Sequence, residues 1–267
     1  MASSPGLRLS FLGGARTVTG SRFLLEAGDR HILVDCGLYQ ERELQARNWQ
    51  PFPVAPDRLD AVLLTHAHLD HCGLLPRLAR EGFRGRIYAT GPTAEIARIV
   101  MLDSARLQVE DMEQKRRRHE RESRTSAHPL VPLYTEKDAE AIAGHFQVVE
   151  FGSSVAIAGG VTAEFFEAGH ILGSASIRVT TGGGSGSRSI LFSGDIGRWG
   201  RPIINDPDPC DRADYVLMES TYGDSLHGPD DQIGTTLRRV VSETVRGAAT
   251  SWSPASPSSA PRRSSTI

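Results

Sequence analysis

The segment from Leu59 to His71 contains the residues of this sequence that could most directly perform chemistry. An apolar stretch, 59–64, runs into a turn where three histidines and one aspartate occupy six positions: His66, His68, Asp70 and His71. Imidazole nitrogen and carboxylate oxygen are ligands that suit zinc. Because four of them come from one tight turn, coordination positions stay open for water, as in catalytic metal sites. The spacing therefore predicts a catalytic metal centre.

Two further ligand candidates follow predicted strands later in the chain. His170 comes just after a strand predicted at 161–166, and Asp195 comes just after one predicted at 189–192. Ligands at the ends of separate strands of one sheet edge can assemble a site on a rigid scaffold. We therefore predict that both join the histidine turn. The other histidines are interpreted as solvated or structural: His31, His119, His128, His145 and His227.

Apolar runs and turn residues predict the elements that must position these ligands. A long helix is expected from Pro92 towards Arg118, and Asp70 and His71 should enter the first turn of a short helix. The glycine run 182–187 predicts an exposed loop. Strands are expected at 7–11, 21–26, 31–35, 60–64, 85–89, 147–151, 154–158, 161–166, 177–181 and 189–192.

The charged end of the long helix allows two interpretations. The basic run 115–118 could meet phosphate groups, but Glu113, Glu120 and Glu122 are interleaved with it. Mixed charge of this kind is typical of a solvated helix face. We favour the solvated face.

The composition is that of an ordinary globular protein. The chain has 267 residues and a net charge of -2, so contact with nucleic acid would have to use a local patch. Three widely spaced cysteines do not predict a disulfide framework, and we interpret Cys72 as a packing residue. The sequence shows no signal peptide and no run of membrane-spanning length, so a cytoplasmic protein without membrane contact is expected.

The order of the motifs resembles the signature of the metallo-β-lactamase fold superfamily of hydrolases. That signature is an Asp after an early strand, then HxHxDH, a lone His and a lone Asp, here Asp35, 66–71, His170 and Asp195. Residues 217–224, Leu-Met-Glu-Ser-Thr-Tyr-Gly-Asp, are similar to the acidic motif that opens the β-CASP insertion of RNA-processing nucleases in this superfamily. The resemblance covers the chain up to about residue 225.

This resemblance implies an α/β fold, the αββα sandwich of the superfamily, incomplete here and followed by the start of a β-CASP insertion. It also implies a site with two zinc ions. The first zinc would be held by His66, His68 and His170, the second by Asp70 and His71, and both would share Asp195 as a bridging ligand.

The remaining roles also follow from the resemblance. Asp35 would orient the ligand loop, and Asp70 and Glu219 are the expected catalytic residues. A hydroxide on the zinc pair would attack the phosphorus of a phosphodiester bond. Family members supply a further histidine to the second zinc, and this chain has no counterpart to it, so weak or absent turnover is expected.

Single-stranded RNA is the substrate that the resemblance favours, and a homodimer is left open. One alternative is a small-molecule metallohydrolase of the same fold that acts on thioesters or lactones. Another is a non-catalytic partner that scaffolds an RNA-processing complex. The intact ligand set speaks against the scaffold, and the Glu219 motif speaks against the small-molecule enzyme.

Three segments are predicted along the chain. Residues 1–210 form the metallo-β-lactamase domain, 211–247 begin the β-CASP domain with an apolar-faced helix, and 248–267 form a disordered Ser/Ala/Pro tail. We hypothesise that this tail is a frameshifted product, because a GC-rich back-translation of 260–267 can be read one base over as Ala-Gln-Glu-Val-Leu-Tyr-His, similar to the helix expected next in the family. Sequencing the coding DNA across codons 245–249 tests the idea, and an alternate frame without a family-like continuation contradicts it.

Overall fold

The first β-sheet is built from the N-terminal part of the chain, in a computed structural model that describes residues 7–122, 130–182, 186–226 and 233–246. Its six strands lie side by side in chain order, with an antiparallel meander of three followed by parallel pairs. They are β1 (Leu7–Gly13), β2 (Arg22–Ala27), β3 (Arg30–Val34), β4 (Ala61–Leu63), β5 (Arg86–Thr90) and β6 (Phe146–Val149). The six predicted strands are confirmed, with ends displaced by one or two residues.

The second sheet has five strands in the order β11-β10-β9-β8-β7. All neighbours are antiparallel except β10 and β11, which are parallel. The strands are β7 (Ser154–Ala158), β8 (Val161–Glu167), β9 (Ala175–Thr181), β10 (Arg188–Phe192) and β11 (Tyr215–Leu217). The four predicted strands of this region are confirmed, whereas β11 was not predicted because three residues are too few to show a periodicity.

The described residues include five α-helices. The predicted long helix is confirmed, and the helical turn that carries Asp70 and His71 is confirmed as well. The helices are α1 (Leu69–Cys72), α2 (Leu75–Arg80), α3 (Gly91–Glu122), α4 (Glu136–Ile142) and α5 (Ile233–Arg246), and three short 3₁₀ turns span Gln45–Trp49, Pro56–Arg58 and Ala143–His145. Helix α4 was not predicted, although Thr135 and Asp138 form the capping box at its start.

Two separate apolar layers stabilise this arrangement because side chains alternate across each strand. Leu24, Leu33 and Val62 face the helices, whereas Leu25 and Ile32 face the second sheet. Helices α1 to α4 therefore cover the outer face of the first sheet, and the two sheets pack on each other. Within the described part of residues 7–221, no helix covers the outer face of the second sheet, so these residues contribute three of the four layers of the predicted sandwich.

The charged end of α3 is a solvated face, as favoured from the sequence. Ion pairs between residues four apart join exposed side chains there, which is the usual arrangement on a solvent-facing helix. The pairs are Lys115 with Asp111, Arg116 with Glu120 and Arg117 with Glu113. Among the helices that the structure describes, none is long and apolar enough to cross a membrane.

The chain divides into two compact units, Met1–Thr221 and Tyr222–Ile267. The first unit includes β11, and the domain boundary at residue 210 stays a prediction. In the second unit, α5 has its apolar side chains at helical spacing along one side: Ile233, Leu237, Val240, Val241 and Val245. The predicted tail 248–267 lies outside the described residues, as does part of the glycine loop.

Candidate metal centre

The predicted ligands lie where strands of both sheets end. Asp35 follows β3, and His66 and His68 follow β4. In the second sheet, His170 follows β8 and Asp195 follows β10. A backbone hydrogen bond of 2.8 Å from the amide of Ala175 to the carbonyl of Thr65 joins the two sheets at this edge.

Four ligand atoms converge on one point at this edge. His68 Nδ1 lies 3.0 Å from His66 Nε2 and 3.2 Å from His170 Nε2. Asp195 Oδ2 lies 3.7 Å from His66 Nε2 and 3.6 Å from His170 Nε2. Four atoms bound to a tetrahedral zinc ion at its usual bond lengths would lie about 3.3 Å apart. These residues therefore fit a zinc ion, and all four ligand atoms lie within 4.8 Å of one another.

A second set of ligand atoms adjoins the first. His71 Nε2 lies 3.3 Å from Asp195 Oδ1 and 3.9 Å from Asp70 Oδ2. The two oxygens of Asp195 thus face different imidazoles, with Oδ2 towards His66 and His170 and Oδ1 towards His71. A carboxylate in this position can hold two cations at once.

The tautomers of two ligands are determined by Thr65 and Asp35. The hydroxyl of Thr65 donates to Asp35 Oδ2 at 2.8 Å, so its oxygen is free to accept from His66 Nδ1 at 3.1 Å. His71 Nδ1 donates to Asp35 Oδ2 at 2.7 Å. Both imidazoles therefore direct Nε2 at the cluster, and Nε2 without its proton is the form that binds a metal ion.

Asp35 supports this network from an unusual backbone conformation. Its φ is 59°, in the left-handed region that non-glycine residues adopt infrequently, and its side chain is 1% exposed. The carboxylate also accepts the backbone N–H of Thr65 at 2.8 Å. Backbone strain at such a position concentrates at functional sites.

Burial and neighbouring charge perturb the titration of these groups. Burial lowers the pKa of His66 well below its usual range, and the nearby imidazoles act in the same direction. Burial also lowers the pKa of His71, but the Asp35 and Asp195 carboxylates outweigh it and place that pKa well above its usual range. Burial raises the pKa of Asp70. Strongly perturbed groups gathered in one place are typical of functional sites.

The loop that carries His170 is fastened to the start of α3. The carbonyl oxygen of Gly173 accepts hydrogen bonds from the hydroxyls of Thr90 at 2.6 Å and Thr93 at 2.8 Å. Ser174 Oγ accepts the backbone N–H of His170 at 2.9 Å. Sequence reasoning missed these supporting threonines, because no motif connects them to a loop 80 residues away.

Glu219 lies beside the cluster in a cavity of about 580 Å³ that His71 and Asp195 also line. Its Oε1 accepts the backbone N–H of Ile196 at 2.9 Å, directly after Asp195. Its own N–H donates to Ser193 Oγ at 3.0 Å. Glu219 therefore braces the loop that presents Asp195.

The histidines that were interpreted as structural lie outside the cluster where the structure describes them. His145 Nδ1 donates to the carbonyl of Gly85 at 2.9 Å and its ring stacks on Phe83. His31 Nε2 lies 3.7 Å from Glu26. His128 and His227 fall outside the described residues. Cys72 is fully buried in the layer beneath the helices, which confirms it as a packing residue.

Comparisons with known proteins agree with this geometry. Residues 16–239 match the family described as the metallo-beta-lactamase superfamily. A protein named Ribonuclease TTHA0252 from Thermus thermophilus is 40% identical over 239 residues, which are 90% of this chain and 49% of that protein. A transcription termination factor FttA from Methanocaldococcus jannaschii is 33% identical over 244 residues, 90% of this chain and 35% of that protein.

The chain thus spans about half or less of the length of these curated relatives. A solved metallo-beta-lactamase fold protein, YhfI from Bacillus subtilis, aligns with 71% of this chain and 62% of its own at 18% identity and a TM-score of 0.40. The family assignment depends on the sequence match, which covers most of the chain and includes every ligand candidate. This chain belongs to the metallo-beta-lactamase superfamily.

Proposed function

We propose that this chain is part of a metal-dependent hydrolase that cleaves phosphodiester bonds in RNA with two zinc ions. The roles given to the individual site residues are part of this proposal. His66, His68, His170 and Asp195 would hold one ion, and His71 and Asp70, together with Asp195, would hold the second.

The observation that carries the proposal is the position of Asp195. Its Oδ2 lies 3.7 Å from His66 Nε2, and its Oδ1 lies 3.3 Å from His71 Nε2. One carboxylate placed between the imidazoles of His66 and His170 on one side and that of His71 on the other supports a dinuclear site over a mononuclear one. Nitrogen and oxygen donors without a thiolate are compatible with zinc, and also with iron or manganese.

When bound, a pair of zinc ions supplies a water molecule of lowered pKa and positive charge for the oxygens of a phosphate group. The chain's own residues prepare the site for this chemistry. Asp35 accepts the Nδ1 proton of His71 and so directs Nε2 towards the position of a metal ion. Glu219 fixes the backbone beside Asp195, and Asp70 places a partly buried carboxylate 3.9 Å from His71 Nε2. The cavity of about 580 Å³ has the size of an ordinary ligand pocket.

RNA as substrate is supported by the names of the relatives, a ribonuclease and a transcription termination factor. The segment 217–224 supports the β-CASP group within the superfamily. Since the chain spans only part of these relatives, and the second ion has three ligand residues where the first has four, we expect slow turnover by the 267 residues alone.

Metal analysis and an RNA cleavage assay on the purified chain test the proposal. We expect zinc in the protein, with the second equivalent lost first on dialysis, and slow cleavage of single-stranded RNA that a chelator abolishes. Asp195→Asn should remove both zinc and cleavage, and Asp208→Asn, an exposed aspartate on a neighbouring loop, should leave both unchanged.

Three results would contradict the proposal. A chain that contains no zinc or iron would point to the scaffold protein instead. Hydrolysis of lactones or S-acyl glutathiones without RNA cleavage would point to the small-molecule enzyme. RNA cleavage that is unchanged both by the chelator and by the Asp195→Asn substitution would show that a contaminant is responsible for the activity.

A further inference from the structure

The cavity at the metal cluster has one permanent cation in its wall. Among the lining residues that the structure describes, Arg16 is the only lysine or arginine, and it shares the cavity with His71, Asp195 and Glu219. Its side chain is exposed. Within the described part of the chain, no hydrogen bond or ion pair occupies its guanidinium.

The carboxylates of the same cavity are already engaged. Asp35 accepts from Thr65 and His71, and Glu219 accepts from the amide of Ile196. Asp195 faces the imidazoles of the metal cluster. Among the described residues, none of these acids forms an ion pair with Arg16, so its guanidinium is open to an anionic ligand that enters the cavity.

The backbone at Arg16 has a conformation that its residue type does not favour. Its φ is 60°, and Asp35 is the only other non-glycine residue with a positive φ in the described part of the chain. The positive φ indicates that contacts with the surrounding structure hold the loop in place, because without them the backbone at Arg16 would return to a favoured conformation.

Glu41 holds that loop. Its Oε1 accepts the backbone N–H groups of Val18 at 3.1 Å and Thr19 at 3.0 Å, and its Oε2 accepts the hydroxyl of Thr19. The amide of Gln40 donates to Thr19 Oγ1 at 2.9 Å, so the loop is bonded from two directions. These bonds fix Val18 and Thr19, the two residues that follow Thr17.

We propose that Arg16 binds a phosphate group of the RNA strand next to the phosphodiester that is cleaved. This inference rests on the proposed function and adds a binding residue to it. A guanidinium suits the role because its planar fork can bind two phosphate oxygens at once and it stays charged at every physiological pH.

Binding measured without turnover tests this assignment. The probe is a short fluorescein-labelled single-stranded RNA with phosphorothioate linkages, titrated with the zinc-loaded chain over a series of salt concentrations and followed by fluorescence anisotropy. We expect Arg16→Gln to weaken binding about fivefold or more and to lower the slope of log Kd against log salt by about 0.7, the value for one phosphate of a single strand. Arg16→Lys should keep most of the slope.

Arg58→Gln is the matched control. Arg58 is exposed and lies before β4, at the opposite end of the strand from the histidine turn, so its loss should leave affinity and slope unchanged. A second series of RNAs carries one neutral methylphosphonate linkage at a time. At one linkage the wild-type chain should lose affinity and the Arg16→Gln chain should lose none.

Equal affinity and equal slope for the wild type and Arg16→Gln would overturn the assignment while leaving the proposed function intact. The assignment would also be overturned if Arg16→Gln weakened binding but no single methylphosphonate linkage lowered the affinity of the wild type while leaving that of Arg16→Gln unchanged. If the wild-type chain neither binds nor cleaves RNA, the proposed function fails and the assignment fails with it. Thermal melts of each variant confirm that it is folded.

Discussion

Thr93 Oγ1 lies 2.8 Å from the carbonyl oxygen of Gly173, and this contact fastens the loop of His170 to the first turn of α3. Thr93 is fully buried, so its hydroxyl depends on this carbonyl as its acceptor. The contact crosses between the helix layer and a loop of the second sheet. The position of one metal ligand therefore depends on a residue that belongs to a different layer.

We expect Thr93→Val to weaken metal binding without removing a ligand. The substitution keeps the shape of the side chain but removes the donor, so the Gly173 carbonyl keeps only the hydroxyl of Thr90. Residues that support a ligand in this way typically change metal affinity by about 10- to 100-fold, and the lost hydrogen bond should cost about 1–2 kcal/mol of unfolding free energy.

Zinc titration and denaturant unfolding of the same protein measure both effects. Thr93→Ser keeps the hydroxyl and is the control, with zinc affinity close to that of the wild type. Equal zinc affinity in all three proteins would contradict the role assigned to Thr93.

Asp35 should control the second metal position through His71. Asp35→Asn keeps the size of the side chain but replaces one carboxylate oxygen by an amide NH2, so the backbone N–H of Thr65, now bonded to Oδ1, and His71 Nδ1, now bonded to Oδ2, can no longer both be accepted. We expect about 10- to 100-fold weaker binding of the second zinc and little change in the first. Competition titrations with a chelator separate the two.

Asp60→Asn provides a comparison at the other end of β4. Asp60 accepts from Arg30 and from the backbone of His31, away from the histidine turn. Asp60→Asn should lower the free energy of unfolding but leave the affinity for both zinc ions unchanged. Loss of both zinc ions to the same degree in Asp35→Asn would show that Asp35 supports the whole fold at this edge and not His71 in particular.

The histidine turn was predictable because its ligands are contiguous and their spacing follows directly from the chemistry of a metal. His170 and Asp195 could be placed because each follows a strand and each matches a motif in order. The supports could not be placed in the same way. The bond from Thr93 to Gly173 joins residues 80 positions apart, and a single threonine carries no periodic signal.

The fold shows the same division. Strands with clear apolar patterns were predicted within one or two residues, whereas the three-residue β11 became a strand only through its register with β10. The bracing role of Glu219 also depends on tertiary structure, because the sequence gives no indication that its carboxylate meets the amide of Ile196.

The three thiols should differ in reactivity. Cys36 and Cys72 are fully buried, and burial raises the pKa of Cys36 to about 12, whereas Cys210 is partly exposed. Thiolate is the reactive form, so native protein at neutral pH should be alkylated at Cys210 alone. Mass spectrometry after iodoacetamide treatment measures the sites. Labelling of all three cysteines in guanidinium chloride is the control, and native labelling of Cys36 would contradict the buried position.

Glu41 should make the free energy of unfolding depend on pH in the acidic range. Partial burial raises the pKa of Glu41, but the hydrogen bonds from Thr19 and Val18 outweigh it and hold the pKa below the ordinary value of 4.5. A carboxyl group with a lowered pKa in the folded state stabilises the fold above its unfolded pKa, and this contribution is lost as the pH falls through the folded pKa.

Glu41→Gln should therefore cost about 1 kcal/mol of unfolding free energy near neutral pH, a low figure because the group is partly solvated. The difference in Tm from the wild type should stay constant above about pH 5 and shrink below the ordinary pKa of a glutamate. Glu43→Gln, which alters an exposed neighbour, should show no such difference, and a Glu41→Gln deficit that persists unchanged in acid would exclude the charge as its cause.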